Sequence, residues 1–338
     1  MIGLTGFSLS TAANGPPVTL PGVVAGQASV NATGAFTYNI PIAVPPGTAG
    51  MVPSLSLQYS SQNGDGIVGL GWGLGGLSTI TRCARTYAQD AVHGGVNYDM
   101  NDRYCLDGQR LILTSGTYGA TGSQYRTEID GFRQITAYGT AGNGPAWFQV
   151  QLRTGQVLQY GNTTNSQILA VGSTTARAWA INQFTDTKGN YYTVTYVNDT
   201  TNGQFYPSQI NYTGNASASL TPYNSVQFVY TTRTDIVPTY QAGSLQQTTV
   251  LLSNIETYNG SSLVFNYELA YTPASSNASH DELDSVTQCD GSGNCLAPTT
   301  FGWQGSRDRL TMTSTAVSIA QGVNPVRFAP GDYNGDGL

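Results

Sequence analysis

Short runs in which apolar and polar residues alternate, separated by Asn-Gly and Asp-Gly pairs, leave this chain few folds to choose from. "SLSLQYS" (Ser54 to Ser60) sets Leu55, Leu57 and Tyr59 against serine and glutamine. "YYTVTYV" (Tyr191 to Val197), "SVQFVYTT" (Ser225 to Thr232) and "LVFNYELAY" (Leu263 to Tyr271) follow the same rhythm. A period of two puts one face of an extended strand in a core and the other in water. Asn63-Gly64, Asp65-Gly66, Asp107-Gly108, Asp130-Gly131, Asn202-Gly203 and Asn259-Gly260 punctuate the runs. Such pairs supply the positive φ angles that tight hairpins need. No long segment repeats apolar residues at helical spacing. The expectation is an all-β protein, a multi-hairpin antiparallel sheet domain of sandwich or shell type with almost no helix.

The surface chemistry is uncharged. Charged residues make up 9% of the 338 positions, against roughly 25% in an average soluble protein. Glycine (41) and tyrosine (21), with Ser, Thr and Asn, take their place, and lysine occurs once, at Lys188. The net charge of −6 is spread without a block of either sign. Phosphate binding needs clustered Lys or Arg, so nucleic acid is excluded as a partner. No apolar run approaches the ~18 residues of a membrane span. The start, "MIGLTGFSLSTAANGPP", lacks the basic flank and apolar stretch of a secretory signal. If the protein is exported, its leader has been removed or was never needed.

The four cysteines fall into two sequence-local pairs, Cys83 with Cys105 and Cys289 with Cys295. Neither is a CxxC and only His93 and His280 could join them, which is poor support for zinc. Two local disulfides are the better reading over free buried thiols. They would contribute about 3 and about 2 kcal/mol on the chain-entropy model and imply an oxidising compartment. Catalytic sets are scarce. The four glutamates, Glu128, Glu256, Glu268 and Glu282, are too sparse for an evident glycosidase pair. Asp281, Glu282 and Asp284 beside His280 read as a solvated loop. The seven Asn-x-Ser/Thr sequons follow from composition. The glycine-rich "GLGWGLGG" has no following helix or lysine to make it a phosphate loop.

Three regions separate: an extended lead-in over residues 1–30, an unbroken strand-turn rhythm over 31–305, and a polar connector over 306–338 that ends in "DYNGDGL". Within the second, the ordered set "YNIPI", "PPGTAG", "PSLSLQYSS", "GLGWGL" and "ITRC" lies between Tyr38 and Cys83, followed by "DRYCLDGQRLIL" (Asp102 to Leu113) and "CLAPTTFGWQ" (Cys295 to Gln304). This set resembles the SpvB-type N-terminal domain of bacterial insecticidal toxin-complex B components and RHS-repeat proteins, over about residues 31–305. Gly73 and Gly75 stand where such relatives more often carry serine.

The resemblance implies a secreted, extracellular bacterial protein and a non-catalytic domain. It would form part of a β-shell that encloses a C-terminal RHS or toxin portion and helps deliver it. An ADP-ribosyltransferase activity in relatives belongs to a separate C-terminal domain with a Glu-x-Glu motif, which this sequence lacks. FG-GAP or VCBS-type repeats often follow the domain, form a propeller that docks the delivery subunit, and carry acidic calcium loops. Asp332, Asn334 and Asp336 then read as the first half of such a loop, cut before its closing carboxylate. No cofactor is implied in the fragment itself, and Ca²⁺ only in the full-length protein. The competing reading is a secreted surface binding module, an adhesin or glycan-binding domain, with Trp72, Trp147, Trp179 and Trp303 as candidate sugar platforms although more simply core.

Overall fold

The computed structural model describes Ile2–Gly3, residues 22–274 and residues 280–303. Among these the fold is all-β, interrupted by one helical turn at Tyr87–Asp90 and a 3-10 turn at Thr48–Gly50. The strands build two bodies, a sandwich and a barrel, that share one strand.

The smaller sandwich sheet runs in the order β1 (Gln27–Val30), β2 (Phe36–Ile42), β3 (Leu55–Ser60) and β4 (Trp72–Gly75), all antiparallel. Its edge strand begins at Gln27, inside the stretch that composition marks as lead-in. Leu55, Leu57 and Tyr59 point into the core, as their alternation requires. The glycines around Trp72 have a steric reason. Gly76 has φ +100°, and a Cβ there would sit 1.9 Å from the Ser54 carbonyl oxygen. Trp72 is thereby pressed against Phe301 and Tyr59, at ring separations of 4.8 and 5.5 Å.

The barrel follows in chain order: β5 (Thr79–Cys83), β6 (Arg103–Leu106), β7 (Gln109–Ser115), β8 (Gln124–Thr127), β9 (Gln134–Tyr138), β10 (Trp147–Gln151), β11 (Val157–Tyr160) and β12 (Ala176–Thr185). Each strand pairs with the next through β11. The ring of 8 strands closes because β12 pairs with β11 through Leu158↔Phe184 and with β5 through Trp179↔Ile80. Asp107 and Gly108, at φ +48° and +79°, make the β6–β7 hairpin turn that Asp-Gly predicts. Ile80, Leu111, Ile135, Phe148 and Trp179 are fully buried inside, with Tyr104, Tyr125 and Tyr160 almost so. This is a filled barrel without a lumen. Trp179 stands edge-on to Phe148 and Tyr104, and its Nε1 donates to the Ala146 carbonyl at 3.1 Å.

One end of the barrel is tied by a buried arginine. Arg82 donates to Asp102 Oδ2 at 3.0 Å and to the carbonyls of Ala176, Asp99 and Asn143. The motifs "ITRC" and "DRYC" thus each supply a core residue (Ile80, Tyr104), one half of this ion pair and one cysteine. Cys83 and Cys105 are joined, with Cα atoms 6.0 Å apart.

From β12 the second sandwich sheet continues through β13 (Asn190–Asp199), β14 (Gln204–Asn215), β15 (Asn224–Thr232), β16 (Val250–Asn259), β17 (Ser262–Thr272), β18 (Glu282–Asp290) and β19 (Thr299–Thr300). Its inner face, with Val194, Ile210, Val226, Ile255 and Val286, packs on the smaller sheet. Tyrosines stitch the two sheets where strands end. Tyr267 Oη accepts from the Ala43 N–H at 2.8 Å, and Tyr212 Oη donates to the Pro45 carbonyl at 2.8 Å. The Pro45-Pro46-Gly47 turn cannot enter a ladder, so side chains of the facing sheet satisfy its backbone. Cys289 and Cys295 are joined across the turn that follows β18.

Because Trp179 fills the barrel from the strand that also founds the larger sheet, Trp179→Ala is expected to cost about 3–5 kcal/mol, and Trp179→Phe distinctly less. Chemical denaturation of the two variants checks this. A loss below about 1 kcal/mol for the alanine variant would show that the barrel interior repacks freely.

Candidate functional site

The main cleft of the described residues encloses about 500 Å³. Arg177 at the start of β12 and Gly203 to Phe205 at the start of β14 form one wall. Arg233, Asp235 and Val237, which follow β15, and Gln246 to Thr248 before β16 form another. Asp65, from the "QNGDG" turn, and His280 complete it. No serine or cysteine lines it, so the serine or thiol nucleophile of a Ser-His-Asp or Cys-His set is missing from this cleft.

The charged end of the cleft is organised by Arg233, which is 5% exposed. Its guanidinium binds both oxygens of Asp235, with Nη2 to Oδ2 at 2.9 Å, and reaches Asp65 Oδ1 at 2.7 Å. Nη1 donates to the Gly66 carbonyl at 2.6 Å. His280 Nδ1 lies 2.5 Å from Asp65 Oδ2 and 3.6 Å from Asp235 Oδ2. The contact is close enough for an ion pair but misdirected for a hydrogen bond, so Nδ1 has no formal partner. Asp65, Asp235 and His280 bring their ligand atoms within 4.8 Å of one another, a donor set that could suit a divalent ion. Arg233 already spends its charge on both carboxylates, however, and fills the role a metal would take.

Burial alone would raise the Asp235 carboxyl. The Arg233 guanidinium and the Asp281 backbone N–H outweigh it and hold the group at about 2. Arg177 is pushed down by burial, the reverse of Arg233, which its two carboxylates hold up despite its own burial.

The structure separates the residues that sequence reasoning grouped. Asp281 is not in a solvated loop. It is 1% exposed and accepts from the N–H groups of Thr234 and Ala274, both at 2.8 Å, which fixes the segment after β15 to β18. The carboxylates facing His280 come from Asp65 and Asp235, far away in sequence. The Arg-x-Asp spacing of "TRTDI" was the one local hint of this network. His93 lies elsewhere, stacked on Tyr87 at 6.1 Å. Trp72 and Trp179 are core. Trp147 lies on the outer wall of the barrel, stacked on Tyr138 at 4.3 Å, and Trp303 donates to the Leu283 carbonyl at 2.9 Å. Asp332, Asn334 and Asp336 lie outside the described residues. A second hollow of about 460 Å³ borders the Cys83–Cys105 bridge beside Arg110, whose charge is met by Asp90 at 2.5 Å.

A carboxyl held below its ordinary value stabilises the fold above the unfolded value and stops doing so as pH falls through the folded one. For Asp235 that window runs from about 4 down to about 2. Asp235→Asn is expected to be less stable than wild type at pH 7, with the gap narrowing from pH 4 to pH 2. Urea midpoints against pH test this, and a gap that stays constant with pH would refute it.

Comparison with known proteins accounts for this architecture. The SpvB family (Salmonella virulence plasmid 65kDa B protein) matches residues 30–273. Among curated relatives, the mono(ADP-ribosyl)transferase SpvB of Salmonella choleraesuis is 32% identical over 120 residues, covering 35% of this chain and 18% of that protein. SpvB of Salmonella dublin matches to the same extent. The chain therefore spans under a fifth of the length of these relatives. Among solved structures, TcdB2–TccC3 is similar at TM-score 0.66 and 19% identity, over 85% of this chain and 17% of that one. The N-terminal domain of the effector SpvB from Salmonella typhimurium is similar at TM-score 0.60 and 18% identity, over 74% of this chain and 98% of that one. At such identities the likeness is one of fold. With the family matched across most of its length and "ITRC", "DRYC" and the glycine-framed Trp72 placed as core and staples, this chain belongs to the SpvB family.

Proposed function

We propose that the chain is a non-catalytic structural domain of a larger secreted bacterial protein of toxin-complex or RHS type, part of a β-shell around a C-terminal toxin. The organisation would be a lead-in over residues 1–30, the SpvB-like domain over 31–305, and a connector over 306–338 into an FG-GAP or VCBS-type repeat. In the full-length protein Asp332, Asn334 and Asp336 would hold Ca²⁺, and the following propeller would meet the delivery subunit.

The observation that carries this reading is the outward face of the larger sheet. Thr195, Gln209, Gln227, Glu256 and Asn266 stand opposite one another in a single row across five strands. The amides bond among themselves, Gln209 to Asn211 at 2.7 Å and Asn254 to Asn266 at 3.1 Å. Apart from the exposed Val197 and Val229, such a wall offers an unfolded chain little apolar surface to collapse on and no dense field of charge. Its ladder also runs unbroken from the barrel to β19. The fold likeness to TcdB2–TccC3 supports the same reading. A glycan-binding module finds less support, because Trp72 and Trp179 are core, Trp303 is tied to the Leu283 carbonyl, and Trp147 alone lies on an outer wall, stacked on Tyr138.

The test is protease treatment of the full-length native product from its producing cells. The C-terminal cargo is expected to be cleaved at least about tenfold more slowly than the same cargo isolated, since cleavage follows access to the open chain. Equal rates would end the containment reading.

A further inference from the structure

Arg177 is a charged group in the main cleft to which the protein supplies no counter-charge. It is the extra residue of a β-bulge. Ala176 and Ala178 on either side of it pair with Leu169 and Ile168, which are consecutive. Both alanines are buried, so the bulge aims the side chain between them out of the barrel wall and into the cleft. There one nitrogen, Nη2, donates to the Gly203 carbonyl at 2.6 Å, and the guanidinium lies 5.7 Å from the centre of the Phe205 ring. Nε is buried without a partner. Arg177 has no carboxylate partner among the described residues. Asp199, which begins the same turn, spends its oxygens on Thr201, Asn202 and Gln204. The more deeply buried arginines, Arg82, Arg110 and Arg233, are each paired with an aspartate. Water can satisfy a nitrogen but cannot neutralise a guanidinium, and a partly buried charge without a counter-ion is costly to keep.

We propose that the cleft is a carboxylate-binding site, in which Nη1 and the remaining Nη2 hydrogen of Arg177 grip the ligand end-on. A planar carboxylate matches this fork, and the Phe205 ring, 5.7 Å away, flanks the guanidinium on one side. Thr248, whose hydroxyl has no partner among the described residues, lines the same cleft and supplies a further donor. At the other end the charge of Arg233 is already met by Asp65 and Asp235. That end offers a second carboxylate no free guanidinium, which leaves the Arg177 wall as the place for an anion. The carboxylate can come from a free small acid or from an acidic side chain of a polypeptide.

The two sources are told apart by thermal unfolding of the intact protein with succinate, and separately with the peptide acetyl-Gly-Glu-Gly-amide, each against sodium chloride of equal ionic strength. One charge-assisted fork implies half-saturation at about 1–10 mM. At about 50 mM the midpoint is expected to rise by about 2–4 °C in wild type. Arg177→Met keeps only the general salt effect and is expected to lose the ligand-specific increment. Arg177→Lys, which retains the charge and the bond to Gly203 but not the planar fork, is expected to lose most of it and stands in if the methionine variant does not fold. A larger increment from succinate identifies a free acid, and a larger one from the peptide identifies a polypeptide carboxylate. If neither probe gives an increment that depends on Arg177, the site is refuted.

Discussion

Both edges of Ala176–Thr185 are occupied along its length, and the rest of the architecture follows from that. On one side the strand meets Val157–Tyr160 and Gln167–Leu169. On the other it meets Thr79–Cys83 with its first half and Asn190–Asp199 with its second. A strand with four pairing partners closes the barrel and founds the sandwich at once. The two bodies cannot separate without exposing a ladder of unpaired backbone groups. Its side chains match these duties. Trp179 and Ile181 fill the barrel, while Ala180, on the opposite face, belongs to the sandwich core.

Few charges means that polar satisfaction must come from elsewhere, and tyrosine provides it. The hydroxyls of Tyr196, Tyr212, Tyr230 and Tyr271 donate to the carbonyls of Ile181, Pro45, Pro207 and Leu252, at 2.6 to 2.8 Å. Burial drives the ionisation of Tyr196, Tyr230 and Tyr271 upward, so these groups stay neutral donors. Each ring adds apolar area while its tip completes a carbonyl at a strand end, a bulge or the proline turn. An arginine or lysine in the same place would bring a charge that the core could not compensate.

The strands were legible because burial on one face imposes a period of two, as in Leu55, Leu57 and Tyr59. Asp107-Gly108 was legible because few other pairs occupy positive φ twice in succession. The all-β class and the family follow from such local signals. Barrel closure was not legible. Nothing in "ARAWAINQFT" tells that its two halves take different neighbours, since register across long separations is set by packing rather than by local pattern. The cleft was hidden for the same reason. Asp65, Arg233, Asp235 and His280 come from three distant segments, and the acidic run beside His280 drew attention to Asp281, which folding buries. Arg177 carries no sequence signal at all, because a bulge appears only when the partner strand is known.

The preference for arginine over lysine, twelve residues to one, fits how these charges are used. Arg82 reaches one carboxylate and three carbonyls from a single buried position. Arg233 likewise spans two aspartates and a carbonyl. A guanidinium holds five donors in a rigid plane, whereas an ammonium offers three around a point and is harder to dehydrate. Where loops must be tied at the end of a barrel or the rim of a sandwich, one arginine replaces several weaker contacts, and its cost in desolvation is offset by an aspartate placed opposite. Arg177 has the anchoring carbonyl and a nearby aromatic ring but no aspartate. In a chain that matches its most deeply buried arginines with acids, an unmatched guanidinium lining a cleft marks the place where the counter-charge comes from a ligand.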